Sequence, residues 1–281
     1  MEPGQTILVD KLVRPAEPGT KGTFQTINWA LTNAVAGDVV RVVGNAGADG
    51  DWDTLTDNFA YEIGPGPLSN QVLSDGKTLD VPKGVTLMVD AGAIFKMNQS
   101  RIGVGSSSLV VDRSGGAFQV LGTPDLSVIF TSYQDEETGI DTEPLATTPA
   151  PGDWGGIVIR NDLDRAERRF LWDEQGIFLN YVNHGDFRYG GGSLKVNGQP
   201  QIVNPISLFE AAPTISFNEI TKSSDAAISA DPNSFREWNF HSPRYQSDAP
   251  FTTDYSRVGP DIDLNTLVEN TTNGLAVRVT T

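Results

Sequence analysis

Short apolar runs separated by polar and glycine-rich turns dominate the chain. VTLMV (85–89), SVIF (127–130) and GIVIR (156–160) have the length and the β-branched character of strands. Strands are predicted at 38–44, 78–81, 85–90, 93–97, 109–112, 117–121, 128–133 and 154–160. Because helical crossovers between these runs are missing, the pattern excludes a doubly wound α/β sheet and a TIM barrel. An all-β fold remains, for which an antiparallel sandwich is one option.

One segment near the N-terminus has helical periodicity instead. In GTFQTINWALTNAVAGD (22–38), apolar residues recur at spacings of three and four. They are Phe24, Ile27, Ala30, Leu31, Ala34 and Val35. The pattern predicts an amphipathic helix with Thr23 as its N-cap and Gly37 as its C-terminal stop.

A hydrophobic pattern with a central asparagine recurs three times, which is the signature of a repeat fold. It reads Ile-x-Leu-Asn-x-Val at 177–182, Ile-x-Phe-Asn-x-Ile at 215–220 and Ile-x-Leu-Asn-x-Leu at 262–267. The asparagines are Asn180, Asn218 and Asn265. A buried amide costs free energy unless it is hydrogen-bonded, so these residues either do chemistry or find partners in a repeat. In stacked parallel coils each asparagine would form a left-handed bend and bond to the asparagines above and below. We therefore predict a structural asparagine ladder.

The repeat and the helix together resemble the right-handed parallel β-helix of the pectin-lyase-like superfamily. GTFQTINWALTNAVAGDVVRVVG (22–44) is similar to the capping helix and first strand of that solenoid. VPKGVTLMVDAGAIFKM (81–97) and FQVLGTPDLSVIFTS (118–132) resemble its later coils, and GDWGGIVIR (152–160) resembles a Gly–Trp turn of bacterial surface β-helix proteins. The resemblance implies one parallel β-helix domain over residues 21–281, with an N-terminal capping helix.

Other segments are expected to lie outside the regular coils. Residues 1–20 are predicted to form an N-terminal extension, and 135–153 and 241–258 two long inserted loops. The sequence ends in NGLAVRVTT (273–281), without a polar cap. Because a solenoid needs capped ends, this ending predicts either a truncated domain or a last coil that pairs with another partner.

Composition narrows the range of partners. Twenty basic and 36 acidic side chains give a formal charge of −16, which disfavours nucleic acid and anionic membranes. The absence of cysteine excludes disulfides, thiolate catalysis and cysteine-ligated metals. No run is long enough to predict membrane insertion, and no signal-peptide pattern is present. The resemblance implies an extracellular or cell-surface location.

An acidic loop is the one candidate for a metal site. NAGADGDWDTLTDN (45–58) contains Asp49, Asp51, Asp53 and Asp57. Calcium takes several oxygen ligands, and alternating aspartates can converge on one ion. The EF-hand pattern is not met, since the sixth position from Asp49 is Thr54 rather than glycine. The loop is read as a solvated acidic turn, with a Ca²⁺ site formed by the four aspartates as the alternative.

Two charged segments are candidates for chemistry. In NHGDFRYGGG (183–192), His184, Asp186 and Arg188 alternate, so a strand would place them on one face, where they could do acid–base work. A solvent-facing strand would have the same pattern. The second segment is RNDLDRAERR (160–169).

The second segment is either a salt-bridged surface loop or a sugar-binding rim. Arg168 could hold a carboxylate or sulfate there, and Arg160 and Asp162 are further catalytic candidates. Trp154 and Trp172 could stack on sugars, or pack beneath loops.

The superfamily that the chain resembles contains polysaccharide lyases and glycoside hydrolases. The Asp-Asp and Arg-x-Lys motifs of the hydrolases are missing, and only Asn183-His184-Gly185 stands where they have Gly-His-Gly. We therefore favour a non-catalytic structural or adhesive module of a larger secreted or surface protein, which could bind polysaccharide or other surface proteins. The alternatives are a lyase or hydrolase acting in the β-helix groove, and a fibre-forming unit that associates end to end.

Overall fold

A computed structural model describes residues 4–12, 20–64, 73, 75–106, 111–140, 145–160, 180–235 and 259–279. Most of the regular structure in these residues is β. It comprises three parallel sheets, one antiparallel hairpin, a short α-helix and two short 3₁₀ segments.

In the described residues, sheet 1 has eight strands and sheets 2 and 3 have six strands each, named below in their spatial order. Sheet 1 contains β2 (Thr20–Phe24), β1 (Thr6–Val9), β3 (Val39–Val42), β6 (Thr86–Asp90), β9 (Ala117–Leu121), β12 (Tyr181–Asn183), β17 (Thr214–Ser216) and β20 (Asp261–Asp263). Sheet 2 contains β4 (Tyr61–Ile63), β7 (Ile94–Met97), β10 (Val128–Ser132), β13 (Gly185–Arg188), β18 (Glu219–Thr221) and β21 (Thr266–Val268). Sheet 3 contains β5 (Thr78–Asp80), β8 (Arg101–Val104), β11 (Ile157–Arg160), β16 (Ile206–Phe209), β19 (Ala226–Ala230) and β22 (Thr272–Val277). The hairpin pairs β14 (Gly192–Val196) with β15 (Gln199–Val203).

The chain visits the three sheets in a fixed order. From β3 onward, the described residues pass through sheets 1, 2 and 3 six times, and we call each passage a coil. Coil 1 contains β3, β4 and β5, and coil 6 contains β20, β21 and β22. Each coil pairs in parallel with the next in all three sheets. This all-β architecture of stacked parallel sheets is consistent with the predicted parallel β-helix and excludes the antiparallel sandwich.

The core follows from the alternation of side chains along the strands. In β6, Leu87 and Val89 are buried, whereas the residues on either side are partly exposed. The inward residues of the three sheets form one continuous hydrophobic cluster. In sheet 2, aromatic side chains of successive coils lie in register, with the Phe130 ring centroid 4.7 Å from that of Phe95 and 4.8 Å from that of Phe187.

The N-terminal helix, α1, is shorter than predicted and spans Ile27–Asn33. Thr26, not Thr23, is its N-cap, because Thr20–Phe24 is extended and pairs with β1. The helix ends at Ala34, so Gly37 lies beyond its C-cap. The buried face of α1 joins the main core and packs against β1, β2 and β3. Residues Thr6–Val9, which we expected in an N-terminal extension, belong to sheet 1 as β1.

Most predicted strands are present within a few residues of the expected bounds, but the irregular segments differ. Residues 111–112 of the run predicted at 109–112 belong to none of the strands above, and 109–110 lie outside the described residues. The described parts of the loop predicted at 135–153 contain no strand. The loop predicted at 241–258 lies outside the described residues.

Two of the three predicted ladder asparagines stack on one another. Nδ2 of Asn218 donates a hydrogen bond to Oδ1 of Asn265 at 2.9 Å, at the corner between sheets 1 and 2 in coils 5 and 6. Oδ1 of Asn218 also accepts from the Gly185 amide at 2.8 Å, and Nδ2 donates to the Val182 carbonyl at 2.7 Å. Asn218 is only 2% exposed, so the column supplies the partners that its burial requires.

Asn180 does not belong to this column, so that part of the prediction is wrong. The repeat implied that Val182 is equivalent to Ile220, but β12 pairs with β17 through Val182 and Ile215. Asn180 therefore lies just before a sheet 1 strand, where its Oδ1 accepts from the Phe118 amide at 2.9 Å. Residues 177–182 match the repeat in sequence, but the pairing of β12 with β17 gives them a different register in the structure.

The left-handed bend also differs from the prediction. The residues with positive φ at this corner are His184 (49°), Phe217 (58°) and Leu264 (53°), so the bend precedes Asn218 and Asn265 rather than falling on them. Left-handed geometry costs a non-glycine residue about 1–2 kcal/mol. The asparagine amides hold the bend through hydrogen bonds to the backbone on both sides, which offsets this cost.

Candidate functional site

A cleft of about 400 Å³ lies on the outer face of sheet 3, over coils 1 to 3. We call it the sheet 3 cleft. Its lining comes from β5, β8, β11, the hairpin and neighbouring turns: Asp75, Thr78, Asp80, Arg101, Gly105, Val111, Arg113, Arg160, Val196, Asn197 and Gln201. The inward neighbours on the same strands, such as Leu79 and Ile102, belong to the core, so strand alternation directs the lining residues outward.

The hairpin of β14 and β15 supplies one wall of the cleft. Its two-residue turn, Asn197–Gly198, has φ values of 49° and 77°, as a type I′ turn requires. Leu194, Val196 and Val203 pack against Val158 of β11 in a small second core. This packing anchors the hairpin on sheet 3 and places Asn197 and Gln201 beside the cleft.

Arg101 is the most buried charged group of the cleft, at 5% exposure. Its Nε donates to Oγ1 of Thr78 at 2.7 Å, and its Nη1 donates to Oε1 of Gln201 at 2.8 Å. Burial lowers the pKa of the Arg101 guanidinium, although the charges of Asp75 and Asp80 oppose this effect. The hairpin and sheet 3 thus hold the guanidinium from two sides.

Asp75 is held by several donors at once. It accepts from the Thr78 hydroxyl and amide at 2.6 Å each and from the Lys77 amide at 2.8 Å. Burial works to raise the pKa of Asp75, but these hydrogen bonds and the charge of Arg101 outweigh burial and hold the pKa below its ordinary value.

This lowered pKa predicts a pH dependence of stability. The Asp75 carboxylate stabilises the folded protein fully above its ordinary pKa of 3.8, and the contribution is lost as the pH falls through the lowered value. Asp75→Asn should therefore lower the free energy of unfolding at neutral pH and show a smaller further loss than the wild type between about pH 4 and pH 2. Urea unfolding over a pH series measures this difference, with the exposed Asp263→Asn as control. Equal acid losses in wild type and Asp75→Asn would contradict the prediction.

Two further arginines complete the cleft. Nη2 of Arg113 is 2.7 Å from Oδ2 of Asp80, and the Arg160 guanidinium lies 4.8 Å from the ring centroid of Phe209. With Arg101, the described part of the lining contains three guanidinium groups and two carboxylates, in a chain whose formal charge is −16. The cleft is thus locally basic. Of the predicted candidates, Arg160 lies here.

The structure separates the predicted acid–base residues. His184 occupies the left-handed corner before β13, which breaks the strand alternation, and its ring stacks on Phe217 with centroids 5.0 Å apart. Asp186 and Arg188 share the outer face of sheet 2, where the Nε of Arg188 lies 3.0 and 2.9 Å from the two carboxylate oxygens of Asp186. The expectation that the three share one face is therefore wrong for His184.

The ion pair affects the charge state of Arg188, and an acid–base role for Asp186 stays a prediction. Burial works to lower the pKa of Arg188, but the hydrogen bond and charge of Asp186, with the charges of Asp135 and Glu219, raise it above its ordinary value. The Arg188 guanidinium therefore stays protonated, and it contacts one side of the Asp186 carboxylate.

Three of the four aspartate side chains of the predicted calcium loop accept hydrogen bonds from the backbone of that loop. Oδ2 of Asp57 accepts from the Ala48 and Asp49 amides at 2.9 and 3.1 Å. Oδ1 of Asp49 accepts from the Asp51 amide at 2.8 Å, and Oδ1 of Asp51 from the Asp53 amide at 3.0 Å. In the described part of the chain, no group of three or more histidine or acidic side chains is arranged to hold a metal ion. Calcium binding stays a prediction.

The remaining candidates do not contribute to the cleft in the described residues. Trp154 is fully buried, where its Nε1 donates to the Arg188 carbonyl at 2.8 Å and its ring packs near Phe130. Of the two alternatives, sugar stacking or packing, the structure therefore shows packing for the Trp154 indole. Asp162, Arg168 and Trp172 lie outside the described residues.

Most residues of the sheet 3 cleft were not predicted from the sequence. SLKVNGQPQIV (193–203) carries the Asn-Gly signal of a hairpin between two alternating runs, which could have revealed the wall. Arg101, Arg113 and Asp75 carry no local signal. Their partners lie up to 100 positions away, as for Arg101 and Gln201.

No family model, curated protein or solved structure matches the chain. In the described residues, no helix has both the length and the apolar character needed to cross a membrane. The fold and the cleft geometry are therefore the basis for the functional argument.

Proposed function

We propose that this protein is a non-catalytic structural or adhesive module of a secreted or cell-surface protein, and that it binds carbohydrate bearing an acidic group in the sheet 3 cleft. The observation that supports this function is the set of three guanidinium groups in a cleft whose described lining also includes hydroxyl, amide and carboxylate groups, together with two valines and a glycine. Guanidinium groups pair bidentately with carboxylates and sulfates, while the other polar groups suit sugar hydroxyls.

We also propose the finer fold assignment, a right-handed parallel β-helix similar to those of the pectin-lyase-like superfamily. The repeated order of the three sheets and the stacking of Asn218 on Asn265 support it. Such a stack presents a long rigid exterior, which suits display at a surface.

The chemistry of the cleft favours binding over hydrolysis. Glycoside hydrolysis uses a carboxylic acid with a raised pKa together with a second, ionised carboxylate. The pKa of Asp75 is instead lowered, and Asp80 is paired with Arg113. Among the described residues that line the cleft, there is no histidine.

One observation favours an enzyme as the second candidate. Burial lowers the pKa of Arg101, as a lyase that used arginine to abstract a proton would require. The hydrogen bonds that Arg101 donates to Thr78 and Gln201 oppose this role, because they need the protonated group. A screen of polyuronates for an unsaturated product, with and without calcium, decides between the two. Turnover lost in Arg101→Lys would overturn the non-catalytic proposal.

Binding predicts a charge-specific result for Arg113→Gln. We expect this substitution to weaken binding of uronate- or sulfate-bearing oligosaccharides about tenfold or more, because a charge-assisted hydrogen bond is worth about 1.5–3 kcal/mol. Titration calorimetry against a panel of acidic and neutral oligosaccharides measures the change.

Arg41→Gln is the matched control. Arg41 pairs with Asp90 at 2.7 Å, the same separation as between Arg113 and Asp80, but it lies on sheet 1 away from the cleft. It should leave affinity unchanged. If the two variants bind alike, or if the wild type binds none of the panel, the cleft is not a carbohydrate site.

A further inference from the structure

We infer that Asn197 is a site of spontaneous deamidation, and that the reaction adds a negative charge to the sheet 3 cleft. Asn197 precedes Gly198 at the tip of the hairpin and lines the cleft. The Asn-Gly pair is the dipeptide in which the following backbone nitrogen meets least steric hindrance, because glycine has no side chain.

The local geometry leaves the reacting groups unobstructed. Both residues of the turn have positive φ, and a β-carbon placed on Gly198 would have no heavy atom within 4 Å. Asn197 is exposed. Among the described residues, its side chain has no hydrogen-bond partner, and the Gly198 amide donates no backbone hydrogen bond. Neither the electrophile nor the nucleophile is therefore held back by an existing contact.

The reaction needs only water as co-reactant. The Gly198 backbone nitrogen attacks Cγ of Asn197, and a new C–N bond closes a five-membered succinimide. The side-chain nitrogen leaves as ammonia, carrying the proton that the Gly198 amide gives up. Water then opens one of the two ring C–N bonds. Opening at Cγ yields aspartate, opening at the former backbone carbonyl carbon yields isoaspartate, and either product carries one carboxylate that asparagine lacks.

The position of the turn gives the reaction a consequence. Arg101, Arg113 and Arg160 line the same cleft, and their positive charge favours the deprotonated amide nitrogen that attacks. The product places a carboxylate among these guanidinium groups, where it competes with an anionic ligand. This second step rests on the proposed function, whereas the modification itself does not.

A second Asn-Gly pair in the chain provides an internal control. Asn273 and Gly274 lie within β22, and Oδ1 of Asn273 accepts from the Asn270 amide at 2.8 Å. This side-chain hydrogen bond must open before Asn273 can react. Each 1.4 kcal/mol of opening free energy slows the reaction about tenfold.

The test is peptide mapping by mass spectrometry of the folded protein, incubated in mildly alkaline buffer at physiological temperature. We expect a mass gain of about one dalton at Asn197 that accumulates about tenfold faster than at Asn273. Fragmentation that distinguishes isoaspartate from aspartate should detect both products at 197. Asn197→Gln should abolish the gain at this position. Similar rates at the two sites, or no gain at 197, would overturn the inference.

The charge effect is measured separately with Asn197→Asp, which carries the product charge from the start. We expect this variant to bind acidic oligosaccharides about threefold more weakly than the wild type. The reason is repulsion between one added carboxylate and the anionic ligand, weakened by the surrounding solvent. Unchanged affinity would overturn the competition step. If the wild type binds no oligosaccharide, the proposed function and the competition step fail, while the mass data still decide the modification site.

Discussion

Replacement of Phe130 by alanine is expected to lower the free energy of unfolding by about 3–5 kcal/mol. Phe130 is fully buried, and its ring stacks between those of Phe95 and Phe187, with Phe118 and Trp154 each 6.4 Å away. Loss of the ring would leave a cavity between coils 2, 3 and 4. The neighbouring side chains cannot move in to fill it, because their strands are paired in a fixed register. Since domains are stable by only about 5–15 kcal/mol, this is a large fraction of the total.

Urea unfolding followed by tryptophan fluorescence is the measurement, because Trp154 lies near the cavity. Phe217→Ala removes the same ring from a position that is 51% exposed, and it should cost less than about 1 kcal/mol. Equal losses in the two variants would show that the sheet 2 aromatic stack is not the centre of the core.

Replacement of Asn218 by leucine should cost about 2–5 kcal/mol, since each buried polar group left unsatisfied costs about 1–3 kcal/mol. The Gly185 amide and the Val182 carbonyl would both lose the partner that Asn218 supplies. Leucine has a similar size, so the loss would report hydrogen bonding rather than volume. Urea unfolding measures the loss in the free energy of unfolding. Faster hydrogen exchange of the Gly185 amide would show that the loss arises at this corner.

Asn265→Leu is the matched comparison. Asn265 accepts from Asn218 and donates to the Ile215 carbonyl at 2.8 Å, but it is only half-buried in coil 6. Water can replace its hydrogen bonds, so the loss should be about 1 kcal/mol. If Asn218→Leu were no more destabilising than Asn265→Leu, the buried amide would not hold the corner.

The strands could be predicted from the sequence because their signal is local. Leu87 and Val89 alternate with polar neighbours, and that alternation marks a strand whatever its partners are. The helix start could not be placed as well. Thr23 and Thr26 are both acceptable caps, and only the pairing of Thr20–Phe24 with β1 selects the second.

The register in which the strands of successive coils pair could not be predicted from the sequence pattern alone. Residues 177–182 match the asparagine repeat in their letters, yet Val182 pairs with Ile215. Because the apolar residues are two positions apart, Val182 could align with either Ile215 or Ile220. The alignment that forms depends on the next corner of coil 4, which His184 and Gly185 make. The pairing of Asn218 with Asn265 was predictable because both coils have the same corner.

Local sequence patterns were enough to predict an all-β protein of short strands with inward apolar residues, a net negative charge and at least one repeated corner. These properties depend on neighbours within a few residues. The position of the cleft and the groups that line it follow from the folded structure alone, because Arg101 contacts Gln201 and Arg113 contacts Asp80 across 100 and 33 positions. Contacts of that kind arise from the stacking of coils and the packing of the hairpin on Val158, which no local pattern encodes.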